Sequence, residues 1–348
     1  MIVGLTYDLR DDYLAAGHGL EETAEFDKPE TIEAIEGTLL ELGYHPVRIG
    51  NVKSLAARLV RGERWDLVFN IAEGLRGIGR EAQVPALLEA YDIPFTFSDP
   101  MVLSLTLHKG MSKHVLRSQG VPTPDFQVVE DLSDLNQFKL PFPVFAKPAA
   151  EGTGKGISAD SRISNTRQLR SVVKDLLNRF QQPVLLETYL PGREFTVGIA
   201  GTGPKAHSLG VMEVILLPTA EKSAYSFENK ENWRGRIEYV LVDDEEARKA
   251  AAVALAAWRG LGCRDGGRVD LRSDGNNSPH FIEVNPLAGL NPTDSDLPML
   301  CRFSGISYTE LIRKIMESAL ERTPGLPVGV ESIMTKRWQT RAGIAVGK

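Results

Sequence analysis

Two short stretches of the chain, Gly267-Arg268-Val269-Asp270 and Phe281-Ile282-Glu283-Val284-Asn285-Pro286, set an arginine, two carboxylates and an amide into otherwise apolar runs. Side chains on a strand alternate in direction, so Arg268 shares a face with Asp270, and Glu283 with Asn285. If the two strands pair, the four groups converge. Asp270, Glu283 and Asn285 would then supply hard oxygen ligands to a divalent cation of the kind used with nucleotide phosphates. A buried, salt-bridged strand pair would use the same residues without any chemistry.

A second constellation lies upstream. Pro143-Val144-Phe145-Ala146-Lys147-Pro148 reads as a strand that delivers a lysine, and Glu151-Gly152-Thr153-Gly154-Lys155-Gly156 follows as a glycine-rich turn. Backbone N–H groups of such a turn can approach phosphate oxygens closely. The spacing is not that of a Walker loop, and taken in isolation the stretch is better explained as a hairpin turn. A third segment, Val184 to Val197, reads as a buried strand, a turn at Pro191-Gly192 and a second strand, with Glu187 and Glu194 on either side of the turn.

These groups need a scaffold. Strand patterns at Ile2 to Tyr7, Pro46 to Ile49 and Asp66 to Asn70 alternate with helical patterns at Pro29 to Leu42, Ser54 to Arg61 and Arg80 to Tyr91. That alternation implies an α/β chain opening with a Rossmann-like parallel sheet over residues 1–105. A smaller lid is expected over 106–190 and a central domain holding the metal-type residues over 191–322. That last domain contains an alanine-rich helix from Asp244 to Arg259, capped by Asp243 or Asp244. Residues 323–348 receive no assignment.

The order strand-lysine, glycine-rich loop, strand-Glu-turn-Glu, Arg-x-Asp and Glu-x-Asn resembles the ATP-grasp superfamily, most closely its D-alanine:D-alanine ligase branch. The resemblance implies ATP as cofactor with two Mg2+ ions, Mn2+ being an alternative. It casts Lys109 and Lys147 as phosphate lysines and Gly152, Thr153, Gly154, Lys155 and Gly156 as the phosphate loop. Glu187 takes the adenine side, Thr188, Tyr189 and Leu190 form the hinge to the base, and Glu194 holds the ribose. Lys230 resembles a loop lysine reaching the γ-phosphate. Asp270, Glu283 and Asn285 match metal ligands, and Arg268 with the Gly289 N–H matches the oxyanion donors. The implied reaction joins a carboxylate to an amine through an acyl phosphate, which would hydrolyse in open water, so Gly152 to Gly156 and Pro218 to Arg236 are expected to close over it.

The substrate positions depart from the family pattern. Glu73, in Phe69-Asn70-Ile71-Ala72-Glu73-Gly74, stands where the ligases carry a histidine, and a carboxylate there favours an ammonium or basic side chain over another carboxylate. An exposed loop glutamate is the plain alternative. Glu25 aligns with the residue that binds the first ammonium, although it sits in an acidic run with Glu21, Glu22 and Asp27. Ser295 is placed to hold the acceptor carboxylate, with Asp294 beside it. These departures point to amino-acid-like substrates other than two D-alanines. A genuine D-alanine:D-alanine ligase and a non-catalytic ATP-binding regulatory protein are the alternatives.

Composition limits the rest. Among 348 residues, 42% are hydrophobic and 25% charged, ordinary globular values. Forty Lys and Arg against 46 Asp and Glu leave a formal charge of -6, which argues against a general nucleic-acid binder. Cys263 and Cys301 lie far apart and read as core thiols. Neither a secretory leader nor a membrane-spanning apolar run is visible, so a cytoplasmic enzyme with small-molecule partners and no nucleic-acid or membrane partner is expected. A homodimer is expected only by analogy with related ligases.

Overall fold

A computed structural model describes residues 1–220, 233–323 and 325. The chain begins with β1 (Ile2–Thr6), α1 (Arg10–Ala15), α2 (Pro29–Glu41), β2 (His45–Gly50), α3 (Val52–Val60), β3 (Leu67–Asn70) and α4 (Gln83–Ala90). The strands form a parallel sheet in the order β2-β1-β3, as the βαβ alternation predicts. Helix starts follow local chemistry: Pro29 sits in the first turn of α2, and the Asn51 side chain accepts from the Lys53 and Ser54 N–H groups to start α3.

Next come α5 (Pro100–Leu107) and α6 (Lys109–Ser118), then a four-stranded sheet with a single helix. Its elements are β4 (Phe126–Val129), β5 (Val144–Pro148), β6 (Arg162–Ile163), α7 (Thr166–Phe180) and β7 (Val184–Thr188), in the strand order β4-β7-β5-β6. Leu169, Val173 and Leu176 of α7 bury against Val144, Ala146 and Leu186 of that sheet to make the lid core. The lid begins later than residue 106. Leu116 of α6, together with Val102 and Val121, buries in the same cluster as Trp258 and Phe281, so α6 belongs with the central sheet.

That sheet is antiparallel, in the order β10-β9-β8-β11-β12. It is built from β8 (Glu194–Ala200), β9 (His207–Leu216), β10 (Ile237–Leu241), β11 (Gly266–Ser273) and β12 (Pro279–Asn285). The helix α8 (Glu245–Leu261), capped by Asp244, covers one face with its alanines and Trp258. The helices α9 (Asp296–Phe303) and α10 (Tyr308–Glu321) join the other face to the first domain, because Leu297, Leu300, Leu311 and Ile315 share one core with Val3, Leu5, Ile32 and Ile35. The two strands either side of Pro191-Gly192 do not pair with each other. β7 belongs to the lid and β8 to the central sheet, so this turn is the crossover between them. Among the described residues no helix is long and apolar enough to cross a membrane, and both cysteines are buried and free.

Candidate active site

The two chemical stretches do pair. Arg268 lies opposite Asn285 and Asp270 opposite Glu283 on the antiparallel β11–β12 ladder, and side chains directly opposite share a face. Val269 and Val284 take the other face and bury against α8. A register shift follows Asp270, so Leu271 faces Phe281 and Ile282 is left over. A bulge of this kind breaks the alternation and bends the strand. Ile282 therefore joins Glu283 in lining the cleft instead of entering the core.

On the polar face Arg268 donates through Nη1 to Asp270 Oδ2, and its Nε lies 3.7 Å from Asp296 Oδ2. Thr196 Oγ1 donates to Asp270 Oδ1 (2.9 Å), and Asn285 Nδ2 approaches Asp270 Oδ2 (3.3 Å). Glu283 Oε2 lies 3.5 Å from Lys109 Nζ. Burial disfavours the charge on Arg268, but the facing carboxylates of Asp270, Asp296 and Glu283 more than offset it, and its pKa rises. No three His, Cys, Asp or Glu side chains converge as a metal cage among the described residues. Two carboxylates and an amide do fit magnesium, which uses one or two carboxylates with phosphate oxygens rather than a full protein cage. With Nδ2 turned toward Asp270, the Asn285 side-chain oxygen is the atom that would serve as a hard ligand.

Lys147 and Glu187 meet on the lid sheet. Lys147 pairs with Leu185 in register, so Glu187 is its diagonal neighbour two residues on, and Lys147 Nζ lies 2.9 Å from Glu187 Oε2. The other carboxylate oxygen is held by Lys113, whose Nζ is 2.7 Å from Oε1 and donates to the Phe281 carbonyl (2.9 Å). Lys113 is fully buried, and burial drives its pKa down to about 8 in spite of Glu187. Burial would raise Glu187, yet the two lysines hold it below the usual carboxylate range. Burial also opposes the charge on Lys147, but Glu187 and Glu283 turn its net shift upward.

The expected nucleotide residues Lys109, Lys147, Gly154, Lys155, Glu187, Thr188, Tyr189, Leu190 and Glu194 line one cleft of about 90 Å3, together with Asp270 and Glu283. Arg272 joins them, donating to Glu194 Oε2 (3.4 Å) and to the Tyr189 hydroxyl (3.3 Å), with its guanidinium 5.1 Å from the Tyr189 ring centre. In the glycine loop, Thr153, Gly154 and Gly156 all have left-handed φ values. A Cβ on Gly156 would stand 2.6 Å from Pro148 Cγ, so only glycine fits that turn.

A larger cavity of about 350 Å3 adjoins the cleft and shares Lys109, Glu151 and Glu283 with it. Its wall includes Arg268, Gly289, Ser295, Glu25, Glu73, Gly152 and Thr153, so all the expected substrate residues are brought together. Two of them are engaged differently from a simple open site. Glu25 accepts from the Gly152 N–H (2.6 Å), from Arg80 Nη2 (3.0 Å) and from Lys155 Nζ (3.1 Å). It fastens the glycine loop to the first domain, and Lys155, expected on a phosphate, turns to Glu25 and to Glu151 (2.5 Å). The Ser295 hydroxyl accepts from the Asn291 N–H (3.0 Å), while Asp294 is drawn off by Arg234 (3.0 Å). Lys230 lies outside the described residues, as does most of the segment Pro218 to Arg236 expected to close.

Sequence reasoning missed Lys113, Arg272, Arg80 and Glu81. For Lys113 a signal existed: it stands one helical turn after Lys109 and therefore on the same face of α6. Arg272 continues the alternation Arg268, Asp270, Arg272 along β11. Nothing local marks Arg80 or Glu81.

Comparison with known proteins points to one family. Residues 115–317 match the family model described as D-ala D-ala ligase C-terminus. A D-alanine–D-alanine ligase of Bordetella petrii is 32% identical over 73% of this chain and 76% of its own length. An uncharacterized protein, y4sG, of Sinorhizobium fredii is 31% identical over 83% of this chain and 87% of its own. The crystal structure of the D-alanine–D-alanine ligase of Bacillus anthracis complexed with ATP has the same fold, with a TM-score of 0.68 at 22% identity over 92% of this chain and 98% of that one. The chain therefore belongs to the D-alanine:D-alanine ligase family and is an ATP-dependent ligase of the ATP-grasp fold.

Proposed function

We propose that the protein joins the carboxylate of one amino-acid-like substrate to the amine of another, using ATP and Mg2+, and that the pair is not two D-alanines. The supporting observation is the junction of the two cavities at Lys109, Glu151 and Glu283. A substrate carboxylate in the larger cavity attacks the γ-phosphorus of ATP in the smaller one, ADP leaves, and an acyl phosphate forms. The second substrate's amine then attacks the acyl carbon, phosphate departs and the amine loses a proton.

Lys109 and Lys147 meet the charge that builds on phosphate oxygens in the first step. Asp270, Glu283 and Asn285 would hold the magnesium, which supplies further neutralisation of the phosphates. In the second step the Arg268 guanidinium and the Gly289 N–H, on the wall of the larger cavity, take the charge of the tetrahedral oxyanion. The departure from D-alanine rests on Glu73, whose carboxylate faces this cavity and is driven well above the usual range by burial and by Glu81 and Glu25. The second reading, ligation of two D-alanines, is favoured by the names of the relatives.

The test is phosphate release from Mg-ATP with all L- and D-amino acids, singly and in pairs, followed by mass spectrometry of positive wells. A product of both substrate masses less water, from a pair other than two D-alanines, is the expected result. Turnover restricted to D-alanine would establish the second reading instead.

A further inference from the structure

Three carboxylates on the wall of the larger cavity stand apart from every other acid around it. Asp27 comes from the loop before α2, Glu73 from the turn after β3, and Glu81 from the short 3-10 helix before α4. Their neighbours are all committed. Glu25 has its three donors, Glu151 has Lys155 and Gln182, Asp294 has Arg234, and Asp296 faces Arg268. Among the described residues the Asp27, Glu73 and Glu81 side chains have neither an ion pair nor a hydrogen bond.

The cations that act on Glu73 and Glu81 are spent elsewhere, and Arg10 and Lys28, which line the same cavity, pair with none of the three carboxylates. Arg80 acts on Glu73 and Glu81 at a distance, but its guanidinium is bonded to Glu25 and to the Ala150 carbonyl (2.9 Å). Lys109 is bonded to the Glu151 carbonyl and faces Glu283, and Lys155 is held by Glu25 and Glu151. Burial, with like charges adding to it, raises Glu81 to about 7 and Asp27 to about 8. Three carboxylates that pair with none of the described cations around a space of about 350 Å3 are complementary to a cation brought from outside. An independent feature also calls for a ligand here. Trp233 lines the same cavity and buries its indole N–H without an acceptor among the described residues, a donor suited to a substrate carboxylate or carbonyl.

We propose that this cavity takes an amino-acid substrate carrying a second cation, an ammonium or guanidinium on its side chain, and that Asp27, Glu73 and Glu81 select it. The inference rests on the ligase reading for its chemistry but not for its binding test. The α-amino and α-carboxyl groups remain for the reacting centre near Arg268 and Gly289, while the side-chain cation reaches the acidic wall. Norleucine, close in length to lysine but without the charge, is the natural control.

The decisive experiment is calorimetric titration of the intact chain, held with Mg2+ and a non-hydrolysable ATP analogue, with L- and D-lysine, ornithine, arginine and norleucine. At least one basic amino acid should bind ten-fold or more tighter than norleucine. Glu73→Gln and Glu81→Gln should each reduce that preference, and the triple variant that adds Asp27→Asn should abolish it while binding of the ATP analogue stays unchanged, which reports an intact fold. Equal binding of lysine and norleucine, or a preference that survives neutralisation, overturns the inference. Ligation on the same probes separates the two proposals. Turnover preferring apolar amino acids keeps the ligase reading and sinks this one, whereas charge-dependent binding without any ligated product keeps the cation site and sinks the substrate pairing.

Discussion

Replacing Lys113 with methionine tests the buried triad beneath the nucleotide cleft. The side chain is fully buried, lies 2.7 Å from Glu187 and donates to the Phe281 carbonyl at 2.9 Å. Removing one partner of a buried ion pair leaves the other uncompensated, at a cost of about 3–5 kcal/mol. Lys147 still faces the second oxygen of Glu187 at 2.9 Å, which places the expected loss near the lower end, about 3 kcal/mol. For a chain of this size unfolding as one unit that is a fall in melting temperature of roughly 4 °C. Glu187 lines the nucleotide cleft, and its carboxylate, freed from one lysine, shifts upward in pKa, so ATP affinity should fall about ten-fold, equivalent to ~1.4 kcal/mol. The assay is thermal unfolding with ATP titration for Lys113→Met, Glu187→Gln and the double variant. Because the two side chains touch, the double variant should lose less than the sum of the singles, with a coupling on the order of 1–3 kcal/mol. Strict additivity, or a single variant with wild-type melting temperature and ATP affinity, would refute the argument.

Other parts of the site make separate predictions. Arg268→Ala should reduce ligation by about two or more powers of ten while ATP binding persists, and steady-state turnover at saturating ATP checks it; unchanged turnover removes Arg268 from the oxyanion role. Glu283→Gln should raise the magnesium concentration needed for half-maximal rate, and an unaltered magnesium titration excludes Glu283 as a ligand. Burial and the neighbouring Asp8 raise the folded pKa of Asp27 to about 8, above its unfolded value of 3.8. The unfolded chain therefore ionises first, and stability falls as pH rises from the unfolded toward the folded value. Asp27→Asn should accordingly raise the melting temperature near pH 8 and change it little near pH 4, where the folded carboxyl is protonated and the unfolded one has only begun to ionise; an equal shift at both pH values would contradict the assignment.

The contrast between what local pattern reveals and what it hides follows from how far apart the interacting groups lie. Arg268 with Asp270, and Glu283 with Asn285, are legible because strand alternation has a period of two, and their convergence needs only that the two strands pair. The parallel first sheet is legible for the same reason, from strands alternating with helices. The bulge that turns Ile282 outward is not, since a register shift exists only in relation to the partner strand. Nor is the split of β7 and β8 between two sheets, because Pro191-Gly192 has the chemistry of a hairpin turn whether or not its strands pair. Side-chain engagement is the least legible. Glu25 stands 55 positions from Arg80 and 127 from Gly152, and nothing in its acidic neighbourhood distinguishes a carboxylate with three donors from one facing solvent. That same long-range pairing engages Arg80, the cation that acts on Glu73 and Glu81. The acidic wall is thus a product of the tertiary fold: Arg80 and Lys155 are spent on the glycine loop, and the charge they leave unmatched faces the substrate cavity.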